Sequence, residues 1–147
     1  SAVVRAIYLA LLLAACADPG ADVETELRAR RAALGLPTEP LAFAAAMEEM
    51  DRRAFEPLLG RVGSLRLPRQ EVLDAALRVE NLLARADPAA VPERAGDPDG
   101  FDALLREARD RAGALARTAV EGGRGTEEAY GLLATCVNCH QRFRRSR

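Results

Sequence analysis

Four stretches of this chain repeat apolar residues at steps of three and four, and none alternates them at a step of two. That spacing restricts the fold to helices, because only a helix returns such positions to one face. Over 41–62 the stripe is Phe43, Met47, Met50, Ala54 and Leu58. Over 69–86 it is Val72, Ala76, Val79 and Leu83, with Leu73 and Leu77 beside it. Over 101–121 it is Phe101, Leu104, Leu105, Ala108, Ala112, Leu115 and Ala119. From 126 onward the helical spacing carries Tyr130, Leu133, Val137 and His140 into an arginine-rich end. Apolar residues make up 49% of the chain and are mostly Ala, Leu and Val, a composition that favours helix over strand. Four amphipathic helices joined by short to moderate loops predict an all-α fold, an antiparallel four-helix bundle.

The breaks between the stripes carry their own signals. Pro57 predicts a kink or an early end in the first helix, because proline removes a hydrogen bond and crowds the preceding turn. Pro68 stands just before the second. "DPAAVPERAGDPDG", 87–100, reads as a loop. "GGRG", 122–125, ends the third helix. Thr126 suits the N-cap of the fourth, with Glu127 and Glu128 in its first turn.

A chain of 147 residues holds one domain and an appendage. Residues 3–16 read "VVRAIYLALLLAAC": Arg5, then an uncharged run too short to span a bilayer as a helix and of the right length for the apolar core of a secretory signal. The run ends in Leu13-Ala14-Ala15-Cys16, which resembles the lipobox of bacterial lipoproteins. The resemblance implies that Cys16 is lipidated and holds the protein at the periplasmic side of a bacterial membrane. A plain signal peptide, giving a soluble periplasmic protein, and a helix of the folded domain are the other readings. The expected organisation is a signal segment at 1–16, a tether at 17–40 able to hold a short helix over 23–34, and a helical domain at 41–147. The formal net charge of −1 offers no basic field for nucleic acid.

The remaining chemistry is concentrated in "TCVNCHQRFRRSR", 135–147. On a helix, Cys136, Cys139 and His140 project from neighbouring positions. Two thiols can add to the two vinyl groups of a haem while the adjacent imidazole reaches the iron, and this spacing is the attachment signature of one covalent haem c. Structural zinc wants four ligands, whereas three cluster here and His140 is the sole histidine. A thioredoxin-like dithiol wants a helix N-terminus, and this pair lies about ten residues inside a helix. An ordinary helix with two buried cysteines fits poorly with export, where free thiols oxidise.

A Cys-x-x-Cys-His on the last of four helices, continued as "CHQRFR", resembles the class II c-type cytochromes, cytochrome c′ and its low-spin relatives. The resemblance spans about 41–145 and is specific over 130–144. It implies thioethers at Cys136 and Cys139 and a proximal ligand at His140. It also implies that a residue of the first helix governs the sixth coordination position. Met47 or Met50 there would give a low-spin iron suited to single-electron transfer. An apolar cap, for which Phe43 is the candidate, would leave a five-coordinate iron that binds NO or CO. The two methionines also suit plain core filling. Tyr130 and Phe143 read as haem-packing aromatics or ordinary core positions. Arg142, Arg144, Arg145 and Arg147 read as a solvated helix end, with a haem propionate or an acidic redox partner as the alternative. The family's propionate-binding arginine early in the first helix has no counterpart before Arg52. The expected function is electron transfer with a redox partner protein, and the alternative is gas binding. No cluster of acid, base and nucleophile suggests an enzyme. The resemblance leaves a homodimer open.

Overall fold

A computed structural model of the protein describes residues 19–55, 58 and 68–144. Within them lie five α-helices: α1 Pro19–Leu34, α2 Phe43–Met50, α3 Arg69–Arg85, α4 Pro98–Val120 and α5 Thr126–Phe143. They form an all-α bundle around one hydrophobic core. The broadest apolar arc belongs to α3, where Val72, Leu73, Ala76, Leu77, Val79 and Leu83 are all buried. This helix is therefore central. Its largest interface is with α4; α2 lies against α3, and α5 lies along α4. Between α2 and α5 there is no comparable interface among the described residues. A two-residue parallel bridge, β1 Leu41–Ala42 against β2 Ala86–Asp87, ties the start of α2 to the end of α3.

The helix boundaries have local causes. α4 begins three residues before the apolar stripe does. Asp97 caps it, its carboxylate accepting from the Gly100 N–H at 3.0 Å, and Pro98 takes the first helical position, where a missing N–H costs nothing. It ends in paired bonds from the Gly122 N–H to the Ala119 carbonyl (3.3 Å) and from the Gly123 N–H to the Thr118 carbonyl (2.9 Å), with Gly122 at φ +87°. Thr126 is not the cap of α5. That position belongs to Gly125 at φ +68°, and Thr126 is the first helical residue. The helix expected over 41–62 is regular only to Met50 and then widens into a π-helical stretch, Asp51–Phe55. Pro57 lies outside the described residues.

The segment read as a tether is not free over 19–34. α1 packs on α3 and α4, and Leu27, at 0% exposure, is part of the core. Arg30 grips Asp74 of α3 with two hydrogen bonds of 2.6 Å, and Arg31 reaches Glu80 at 2.9 Å. The Arg30 hydrogen bond is the main cause that holds the Asp74 carboxyl below the usual carboxylate range, against a smaller upward push from burial. Val23 and Leu34 pack against the same core, and Glu26 pairs with Arg69 at 3.3 Å. Three apolar positions and three ion pairs are a sparse signal in a polar sequence. The expected signal segment at 1–16, with Cys16, lies outside the described residues. Among those described, no helix is long and apolar enough to cross a membrane.

Candidate functional site

Cys136, Cys139 and His140 lie in the last two turns of α5, which the Arg144 N–H closes on the His140 carbonyl at 2.9 Å. The helix faces the bundle through Ala129, Leu132 and Thr135, all buried. A polar seam fixes its register on α4. Thr135 shares its hydroxyl proton between the Gly131 carbonyl (3.0 Å) and the Glu107 carboxylate (3.2 Å), and Arg111 donates to the same carboxylate at 2.9 Å. The Arg111 guanidinium lies so close over Gly131 that a Cβ there would collide with it. Further up, Thr118 donates to Glu128 at 2.9 Å.

This seam sets which way the motif faces. Cys136 and Cys139 are half-buried at the border of the core, and Cys136 packs against it. His140 is exposed. Burial pushes the Cys136 thiol up to about 11, with the neighbouring Cys139 adding to the shift, and burial also raises Cys139. Both thiols are therefore neutral near pH 7, unlike the low-pKa thiolates of reactive dithiols. Among the described residues, no group of three or more His, Cys, Asp and Glu side chains could hold a metal ion. The three motif side chains leave the helix at different heights and do not converge on one point, as zinc would require.

The spacing that joins Tyr130, Leu133, Val137 and His140 is real, but it is not the core face. Tyr130 is 55% exposed and Val137 53%. The core-position reading of Tyr130 is overturned, because the small residue Ala129 turns inward in its place. The apolar arc of α5 is wider than the bundle covers, and His140 lies on its uncovered side.

On α2, Met50 is 3% exposed within the core, and Met47 is half-buried against that core. Phe43 of α2 and Phe143 of α5 meet the same third ring. Phe101 of α4 lies 5.4 Å from Phe43 and 5.1 Å, edge-on, from Phe143, centroid to centroid. Arg142 is not a free helix end: it is ion-paired with Asp97, the cap of α4, and lies 5.4 Å above the Phe143 ring. Arg144 is exposed, and Arg145 and Arg147 lie outside the described residues. Arg52 pairs with Glu48 on the surface of its own helix. A shallow cleft of about 200 Å³ between Leu83, Pro88, Asp102, Leu105, Arg106 and Arg109 includes none of these residues.

Two residues of this region were not singled out from sequence for anything beyond loop or core. Asp97 carried a signal, an Asp before a Pro at the head of a helix. Phe101 carried none, because a ring that bridges two other helices looks like any core aromatic until those helices are placed. No protein-family model, no curated protein and no solved structure matches the chain.

Proposed function

We propose that this is an exported c-type haem protein, with α2 to α5 as an antiparallel four-helix unit and the haem held from α5. The carrying observation is the placement of Cys136, Cys139 and His140 on consecutive turns of one regular helix. The thiols are half-buried and neutral, and the imidazole is exposed beside an apolar face. These residues fit the group. Cys136 and Cys139 would each add an S–H across a vinyl double bond, and His140 would offer its imidazole to the iron. Leu133, Val137 and Tyr130 extend the apolar surface next to His140, as a flat, largely apolar ring requires. Phe143 is a further packing candidate. When bound, a haem supplies an iron centre able to accept one electron or a small diatomic ligand. The bridge from the start of α2 to the end of α3, and the Phe101–Phe143 contact from the start of α4 to the end of α5, suit antiparallel neighbours.

The packing on α2 favours gas binding over electron transfer. Met50 is engaged in the core, and Phe43 is held against Phe101 next to the ring that follows His140 by one turn. Electron transfer is the second reading. It rests on Met47, which is half-buried and borders the same core as Cys136. A redox protein would then be the partner.

Two measurements on protein made in cells that mature c-type cytochromes test this. Haem should stay with the chain in acidified organic solvent and leave the Cys136→Ala, Cys139→Ala double variant. Loss from the unmutated chain would end the haem reading. The ferrous protein should be high-spin and bind CO rapidly. A low-spin ferrous spectrum that Met47→Leu converts to high-spin would put electron transfer first. Lipid anchoring at Cys16 belongs to the same proposal and expects release from membranes by detergent but not by salt, because a diacylglyceryl group brings two chains. Unlipidated protein from the unmutated gene would remove the anchor and leave the haem reading intact.

A further inference from the structure

Between α2 and α5 there is no packed interface comparable to those on α3 and α4, yet both helices touch one side chain. That side chain is Phe101, in the first turn of α4 and only 2% exposed. Its ring stands between Phe43, the first residue of α2, and Phe143, the last of α5. Both outer rings are half-buried, so each keeps an open edge. Phe143 lies one turn beyond His140, and Phe43 lies one turn before Met47. We infer that Phe101 is a positioning residue that sets the approach of α2 to the His140 side of α5, and through it controls how easily a small gas reaches the iron.

The inference rests on the haem reading above and goes beyond it, since Phe101 is assigned no contact with the haem. The physical basis is that a buried ring is a stiff spacer. Its two χ angles are fixed by packing, and tilted or edge-on ring pairs at these distances resist sliding. Asp97 holds the spacer in place by capping α4 four residues before Phe101 while it pairs with Arg142 of α5. A leucine at 101 would keep the site apolar but lose contact with at least one ring. Phe43 and the first turn of α2 would then be free to swing. The effect applies whether the side chain over the iron is Phe43 or Met47, because both ride on that turn.

The test is a double-mutant cycle on the ferrous holoprotein, read as the CO association rate after flash photolysis. The variants are Phe101→Leu, Phe43→Leu and the pair, with Phe101→Met as a milder change should leucine impair folding. Helical content and thermal midpoint are recorded for each. Phe101→Leu should speed CO association, and the double variant should fall short of the product of the single effects by about twofold or more, as contacting residues do. Multiplicative effects would overturn the inference. So would a lowered thermal midpoint with an unchanged CO rate, which marks Phe101 as core filler. Solvent extraction of the unmutated protein comes first: if haem is not covalently held, the functional reading fails and takes this inference with it, whereas covalent haem with an uncoupled cycle defeats the inference alone.

Discussion

Cys136 borders the core, and the haem proposal also requires it to react, two properties that pull apart in most thiols. Its raised pKa means that the free thiol is neutral up to strongly alkaline pH. In the haem-free chain, alkylation at Cys136 should accelerate about tenfold per pH unit from 8 to 10 without a plateau, since only the thiolate attacks. A bend near pH 9, the ordinary thiol value, would show the thiol to be unburied. Linkage gives a second expectation. Above an ordinary thiol pKa of about 9 the unfolded chain has lost a proton that the folded chain keeps. Stability present below that pH should therefore decline between pH 9 and 11, by up to roughly 2 kcal/mol. Cys136→Ser should flatten this slope, and urea titrations across that range would show it. That Cys136, Cys139 and His140 share one helix was legible from sequence, because it is a matter of spacing along that helix. The cap of the same helix was misread: Thr126 looked right, but Gly125 holds the left-handed position. A Cβ at Gly125 would meet Leu115 Cδ1 at 2.5 Å, whereas one at Gly122 meets nothing within 4 Å. Gly125→Ala should thus be the more destabilising, by about 1–2 kcal/mol, because it adds overpacking to the backbone strain that both share.

At the scale of elements, the apolar stripes located α3 and α4 to within a few residues, since each helix buries a broad arc that repeats in sequence. A short helix over 23–34 was expected, but its docking was not, because that rests on Leu27 with Val23 and Leu34 beside it and on ion pairs whose partners lie more than forty residues away. Leu27→Ala should show how tightly α1 is held. Burial alone argues for a loss of about 2–5 kcal/mol, but a helix with a single fully buried side chain can detach first, and the cost then stops at its docking energy. Limited proteolysis within 19–34 separates the two: early cleavage in the variant, with α3 and α4 intact, indicates detachment. Asp74→Asn should loosen α1 in the same way. Because Arg30 depresses the Asp74 pKa, the stabilisation is present above the ordinary carboxylate pKa and disappears as pH falls through the folded value. Cleavage of the native chain should therefore increase under acid conditions, and that of Asp74→Asn should increase less, since only the Glu80 and Glu26 pairs are left to lose.

At the scale of the molecule, the bundle has a firm middle and two looser flanks. The α3–α4 pair carries most of the core, while α2 and α5 each lean on one member of that pair. What joins the flanks is the short aromatic contact through Phe101. Sequence periodicity could announce the helices but not this arrangement, because amphipathic stripes say which face is buried and not against which partner. The arrangement leads to an expectation for amide hydrogen exchange. In the haem-free chain, protection should be greatest in α3 and α4, where buried residues are densest, and least in α2 and the last turns of α5. Covalent haem at Cys136 and Cys139 should then raise protection chiefly in α2 and α5, because a group held from α5 and covered from α2 adds the contact that those two helices lack. α1 packs on α3 and α4, away from that pair, and should change little. A uniform gain across all five helices would mean that haem acts through global stability alone. A gain confined to α5 would mean that α2 does not cover the site, and that Phe43 and Met47 have no part in choosing what binds there.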